Sequence, residues 1–199
     1  MERELKLQIR SDRYRHYGDS KPQLFWRIRN VSLYCTITYR KAHYYSSRTG
    51  LLNRVVSAYY RYRLNVVSRK YLFQIPYTVS IGSGFNLVHF GRVTIAPYVK
   101  IGDNCNIFTG VTIGSTTRVG GVKKGVPTIG NDVWIGPNAV VVGGITIGDN
   151  VLIVANSFVN FDVPSPPDSI VICNPGKIIP SQRATEGYIC QKWIGDENK

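Results

Sequence analysis

The chain has 199 residues, 43% of them hydrophobic, with 25 Lys and Arg against 12 Asp and Glu and a formal charge of +13. That is enough apolar material for one main core and a smaller appended cap. No run of eighteen apolar residues occurs, and the opening MERELKLQIRSDRYRHYG lacks the apolar centre of a signal peptide, so a cytoplasmic protein without a membrane span is expected.

The first element is a basic cap over residues 1–73. Residues 1–70 hold sixteen Lys and Arg against four Asp and Glu, a net of +12, so the other 129 residues carry only +1. Apolar residues cluster at Leu24, Phe25, Trp26 and Ile28, then at Val31, Leu33, Tyr34 and Ile37. A later cluster, Leu51, Leu52, Val55, Val56, Tyr59, Tyr60 and Leu64, recurs at three- and four-residue intervals and predicts an amphipathic helix. Loops are expected at Ser20-Lys21-Pro22 and across residues 46–50, giving about three helices. A basic, tyrosine-rich cap can attract anionic lipid, a phosphorylated glycolipid or nucleic acid; the plainer reading is a solvated charged face beside an aromatic core. No zinc module, RNP-type motif or glycine-rich phosphate loop supports nucleic acid. The partner expectation is therefore peripheral contact of residues 1–70 with an anionic membrane, at its inner face.

The second element, residues 74–163, is built on a period of six. Branched apolar residues stand at Ile95, Ile101, Ile107 and Ile113, and again at Ile129, Ile135, Val141, Ile147, Ile153 and Val159. Glycine follows the register residue at Gly82, Gly102, Gly114, Gly130, Gly136 and Gly148. A small or β-branched residue follows four places on at Val99, Cys105, Val111, Val133, Ala139, Val151 and Ser157. Neither the helical period of 3.6 nor the strand period of 2 produces this pattern. Three short faces closing a triangular coil of eighteen residues do produce it, with the register side chains stacked inward from coil to coil. The glycines are expected to supply turn dihedrals closed to other residues, helped by Asp103-Asn104, Asn131-Asp132, Pro137-Asn138 and Asp149-Asn150. The expected fold is thus mainly β, a solenoid of four to five coils; a sandwich of short strands would not hold so strict a phase.

Two departures from the register mark candidate sites. At residues 87–92, LVHFGR, the phase jumps by two before Ile95. At residues 115–126, STTRVGGVKKGV, a glycine-rich basic excursion replaces a turn; such a loop can cover a neighbouring face, and Arg118, Lys123 and Lys124 can meet phosphate. His89 is the sole histidine of the solenoid, and it lies outside the inward register. One imidazole cannot make a multi-histidine metal site, and it suits a general base at neutral pH; a structural role is the alternative. The four cysteines, Cys35, Cys105, Cys173 and Cys190, are far apart and form no CxxC pair, so no metal is expected and, in an intracellular chain, no disulfide.

With these residues in place, residues 74–180 resemble the hexapeptide-repeat acyltransferases, left-handed parallel β-helices that use acetyl-coenzyme A, and within them the serine acetyltransferase branch. The matching stretches are IGSG at 81–84 leading to LVH at 87–89, VKIGDNCNIFTGVTIG at 99–114, PTIGNDVWIGPNAVVVGGITIGDNVLI at 127–153 and VPSPPDSIVICNPGKII at 163–179. The opening LQIRSDRYRHYG is also similar to the short caps of related O-acetyltransferases of surface-polysaccharide assembly.

The resemblance implies that His89 is the general base toward an acceptor hydroxyl. It implies a homotrimer whose coenzyme groove runs along the solenoid edge between subunits. Ser115, Thr116, Gly136, Pro137 and Ala155 would then approach the pantetheine arm, and Lys177, after Asn174-Pro175-Gly176, would stand near the nucleotide phosphates. Residues 164–199 would close the solenoid and the groove.

The chain departs from the serine acetyltransferase pattern where that family orients its histidine and holds its amino acid. Gln74 and Val88 stand in place of aspartates, and the loop reads Lys124-Gly125-Val126-Pro127 where an arginine is expected. Gln74, Arg92, Arg118 and Lys123 are the candidates for acceptor contacts. The expectation from these departures is acetyl transfer to a sugar hydroxyl of a capsular or exopolysaccharide precursor. Serine O-acetylation for cysteine synthesis is the alternative, and a non-catalytic scaffold or membrane-surface protein the alternative of another class. NDVWIGPNAVV with Trp134 is also similar to the maltose- and galactoside-type acetyltransferases.

Overall fold

Apolar residues that recur every six positions are buried by coiling, because each short flat face then lies on the same face of the coil below. The computed structural model describes residues 2–18, 30–116, 125–163, 169–172, 177–182, 184–186, 188–189 and 192–195, and it shows such a coil. Sheet A holds β1 (Phe73–Gln74), β4 (Val93–Ile95), β7 (Thr112–Gly114), β10 (Val140–Val142) and β13 (Phe158–Val159), in that order and all parallel. Sheet B holds β2 (Ser80–Ile81), β5 (Lys100–Ile101), β8 (Thr128–Ile129) and β11 (Thr146–Ile147). Sheet C holds β3 (Asn86–Val88), β6 (Asn106–Phe108), β9 (Trp134–Ile135), β12 (Val151–Ile153) and β14 (Ser169–Ile172), closed by the antiparallel β15 (Lys177–Pro180). Every third strand therefore returns to the same sheet.

The register residues meet their own kind. Ile95 pairs with Ile113 and Ile113 with Val141; Ile101 pairs with Ile129 and Ile129 with Ile147; Ile107 pairs with Ile135 and Ile135 with Ile153. All ten register positions are at most 4% exposed, so the period of six is the inside of the prism. The glycines that follow them serve a purpose other than the one expected. None of Gly82, Gly102 and Gly130 has a positive φ; a Cβ on Gly102 would instead stand 2.6 Å from the carbonyl oxygen of Gly130 on the next coil. Close stacking of corners excludes a side chain there, while the left-handed turn residues include Asn104, Asp132, Asn138, Asn150 and Asn156, a conformation that Asn and Asp tolerate, and also Tyr98 in the turn before β5.

The cap contains α1 (Glu2–Tyr17), α2 (Val31–Ser46) and α3 (Leu51–Tyr71). Asn30 caps α2 by accepting from the Leu33 N–H at 2.9 Å, and residues 47–50 form the expected loop before α3. The expected loop at 20–22 and the cluster at 24–28 lie outside the described residues. The expected helix is present as α3, and the face it packs is not the one that carries most of the apolar cluster. Ser57, Leu64 and Val67 are buried, whereas Leu51, Leu52, Val55 and Tyr59 are exposed.

Cap and prism are joined by a polar seam below the first coil. The Tyr39 hydroxyl donates to the Val79 carbonyl at 2.7 Å, and Arg40 donates to Asp12 and to the carbonyls of Ile81 and Gly82. The Gly84 N–H donates to Ser11 Oγ and the Phe85 N–H to Asp12 Oδ1, each at 2.9 Å. These contacts fix the backbone that runs directly into β3.

After β15 the tail descends past the turns of successive coils. Thr185 donates to Asn150 Oδ1 and Lys192 pairs with Asp132; Asn104 exchanges hydrogen bonds with the Trp193 backbone. The Trp193 ring then meets Tyr14 of α1 edge-on, with centroids 5.6 Å apart.

Candidate active site

The edge where sheet C turns into sheet A is irregular in the first coil. Val88 pairs with Phe108 and Thr94 with Thr112, so six positions separate the strands of the first coil where four suffice in the second. The two extra residues push the corner at residues 89–92 outward. His89 opens that corner with φ at 69°, Phe90 beside it is exposed, and Gly91 has φ at 144°. A Cβ on Gly91 would come within 2.4 Å of Thr109 Oγ1, so the corner needs glycine on both conformational and steric grounds.

The His89 ring is exposed, and its neighbour is Phe108, edge-on with centroids 6.0 Å apart. Phe108 packs on Trp134 at 4.6 Å and Trp134 meets Tyr188 of the tail at 5.1 Å, so an aromatic column climbs sheet C from the histidine. Among the described residues no side-chain hydrogen bond orients the imidazole, and Val88 is half-buried in β3. The column was missed in sequence, although Phe108 and Trp134 occupy the outward positions next to the register residues Ile107 and Ile135.

The expected donor-side residues divide between two edges. Gly136, Pro137 and Ala155 lie on the same edge as His89, two and three coils above it. A Cβ on Gly136 would stand 2.6 Å from the Ala155 nitrogen and 2.7 Å from the Trp134 ring, which keeps that edge flat. Ser115 and Thr116 leave β7 at the opposite edge of sheet A, where the Thr116 N–H donates to the Gly125 carbonyl at 3.3 Å. Lys177 begins β15, paired with Ile172. Asn174, Pro175, Gly176, Arg118 and Lys123 lie outside the described residues.

The acceptor-side candidates Gln74 and Arg92 do come together. They line a cavity of about 420 Å³ with Thr94 of β4 and with Asn65, Ser68 and Arg69 from the last turns of α3. Two guanidinium groups and several amide and hydroxyl groups face it, with no carboxylate in its lining, which suits an anionic group. His89 does not line it, but Arg92 ends the same four-residue corner. Arg69 was not singled out in sequence because only the turn at Leu72, with φ at 60°, brings the end of α3 beside β1. Among the described residues no group of three or more His, Cys, Asp or Glu converges, and no helix is long and apolar enough to cross a membrane.

Residues 127–160 match the family model "Bacterial transferase hexapeptide (six repeats)". The chain is 36% identical over 144 residues to a serine acetyltransferase of Synechococcus elongatus, covering 72% of this chain and 54% of that one. It is 33% identical over 134 residues to a serine acetyltransferase of Helicobacter pylori, covering 67% and 73%. The chain spans about half the length of the first curated relatives it matches. Among solved structures, serine acetyltransferase of Neisseria gonorrhoeae superposes with a TM-score of 0.70 at 25% identity, covering 90% of this chain and 67% of that one. The soybean serine acetyltransferase complexed with serine gives 0.71 at 25%, covering 88% and 69%.

Proposed function

We propose that this chain, which belongs to the serine acetyltransferase-like branch of the left-handed β-helix, hexapeptide-repeat acyltransferases, moves the acetyl group of acetyl-coenzyme A onto an acceptor hydroxyl, with L-serine as the first acceptor. The observation that carries this reading is the two-residue extrusion that presents His89 on the same edge as the flat Gly136 and Ala155 corners. The donor supplies an activated thioester. His89 takes the proton of the acceptor hydroxyl as its oxygen attacks the acetyl carbonyl; the carbon–sulfur bond breaks, and that proton leaves with the thiol. Fold alone would not give this reaction; the placement of one imidazole beside an edge of small residues supports it.

Serine moves ahead of the sugar acceptor expected from sequence for two reasons. The relatives and solved structures reported above are serine acetyltransferases. Arg69 and Arg92 at one cavity also offer the carboxylate partner that the departing loop sequence had removed. A sugar hydroxyl is the second reading on a single observation: no Asp or Glu lines that cavity to receive an ammonium group.

The homotrimer belongs to the same proposal. Ser115 and Thr116 lie across sheet A from Gly136 and Ala155, as a groove shared by neighbouring copies would require. Peripheral contact of the basic cap with an anionic membrane is a separate part of the proposal, independent of the acceptor.

The deciding experiment follows thiol release from acetyl-coenzyme A with L-serine and, in parallel, with nucleotide-linked and lipid-linked sugars. Turnover with serine, with a raised KM in Arg92→Gln and Arg69→Gln, is the expected result. Turnover with a sugar alone would select the second reading. No turnover with either would leave a non-catalytic scaffold.

A further inference from the structure

We infer that the outward face of α3, with the cavity it shares with α2, is a docking surface for anionic phospholipid headgroups at a bilayer. Helical periodicity places Leu51, Leu52, Val55, Tyr59, Tyr62 and Val66 in one arc of about 100°, on the side away from the buried Ser57, Leu64 and Val67. Leu51 is 80% exposed, Leu52 76%, Val55 62% and Tyr62 66%. A contiguous apolar stripe of this length is not scattered surface; it marks a contact. Arg54 borders one side of the stripe by the same geometry, and Arg63 and Lys70 the other; Arg61 lies farther round toward Ser57, its guanidinium 4.4 Å from the centre of the Tyr77 ring.

The charge of the region narrows the occupant. Residues 20–102 contain no Asp or Glu at all. A second copy docked face to face through this stripe would set arginine against arginine with no carboxylate in that stretch to pair them, and a neighbour meeting the stripe with a different face, as in the proposed trimer, is told from a bilayer by the oligomer measurement below. An anionic bilayer supplies counter-charge and apolar depth together, the combination that a basic amphipathic helix matches.

A cavity beside the stripe fits a headgroup. It measures about 220 Å³ and is lined by Tyr34, Thr38, Lys41, Tyr60 and Arg63, with Tyr59 shared between cavity and stripe. Arg63 is held there by donating to the hydroxyls of Tyr34 and Tyr59, and Lys41 Nζ stands 5.2 Å from the centre of the Tyr60 ring. Two cations, tyrosine and threonine hydroxyls and no acidic lining group suit a phosphodiester.

The inference gives the proposed membrane contact a definite face and rests on that contact, not on acetyl transfer; vesicle binding can fail with acetylation intact, and the reverse. The test is co-sedimentation of the full chain with phosphatidylcholine vesicles, with and without about 30% phosphatidylglycerol, at low and high salt. Expected are binding only with the anionic lipid, loss at high salt, a roughly fivefold weakening for each of Arg54→Gln and Lys70→Gln, and near-abolition by Val55→Asp, all with an unchanged melting temperature. Absence of binding to anionic vesicles, equal binding to neutral ones, or full binding by Val55→Asp would each overturn it. So would a dimer or trimer in light scattering that Val55→Asp dissociates while no vesicle binding occurs, because the occupant would then be another copy of the chain.

Discussion

Arg40 and Asp12, 28 residues apart on α2 and α1, form an ion pair with no exposed side-chain surface, Nε to Oδ2 at 2.8 Å. Burial and Asp12 act in opposite directions on Arg40, and the nearby carboxylate prevails, so the guanidinium is held above its usual range. Breaking such a pair from one side leaves a buried charge without its partner, at a cost of roughly 3–5 kcal/mol. Asp12→Ala is expected to lose that much in urea unfolding, and the double variant Asp12→Leu with Arg40→Met to recover part of it. A loss below about 1 kcal/mol for Asp12→Ala, the scale of an exposed pair, would remove the seam from the account of stability.

The left-handed backbone of His89 dictates which substitution tests its chemistry. Alanine would combine loss of the imidazole with strain at φ 69°, whereas asparagine accepts that conformation. His89→Asn is expected to lower acetyl transfer by about 10²- to 10⁴-fold with an unchanged circular dichroism spectrum. Gly91→Ala keeps the histidine but must displace the corner from Thr109, so a reduced rate and a lowered melting temperature are expected together. Full activity in His89→Asn would assign the proton transfer elsewhere.

His16 gives the fold an acid limit. Burial, with Arg15 adding to it, lowers its pKa from 6.5 to about 4, so the folded state disfavours the charged ring. The unfolded chain takes up this proton near pH 6.5 and the folded chain only near 4. Stability is thus complete above about 6.5 and declines as pH falls through that window, by about 3 kcal/mol. Urea midpoints at pH 7, 5.5 and 4.5 should show the decline in the wild type and a shallower one in His16→Gln; equal slopes would refute the assignment.

Cys35 and Cys105 are free and buried, and burial pushes both thiols up to about 12. Cys105 also donates to the Gly130 carbonyl at 3.2 Å. In a Cys173→Ser, Cys190→Ser background neither thiol should react with a thiol reagent until denaturant is added. Rapid labelling of the native protein would show that the cap around Cys35 or the coil around Cys105 opens readily.

The prism was legible because one geometric rule, a return every eighteen residues, fixes the side each residue faces. The ten register positions are consequences of that rule, and the two-residue jump before Ile95 was visible as a breach of it. The cap was legible only as helices. Periodicity tells which residues of α3 share a face and is silent on which face meets the core, so the stripe at Leu51, Val55 and Tyr59 reads the same packed or exposed. Contacts between elements carried no pattern at all: Asp12 with Arg40, Arg69 beside Gln74, Trp193 on Tyr14. They depend on where a helix ends or a tail turns, which single left-handed residues such as Leu72 decide.

The parallel stacking of corners also makes the molecule a ruler. His89, Gly136 and Ala155 occupy one edge on the first, third and fourth coils, and coils repeat at about 4.8 Å, so the two corners proposed to meet the donor stand about 10 and 14 Å above the histidine. Inserting or removing a coil between them would change that reach in whole rungs and leave each corner's own geometry untouched. On the proposed reaction, the length of arm that delivers a group to His89 is therefore counted in coils.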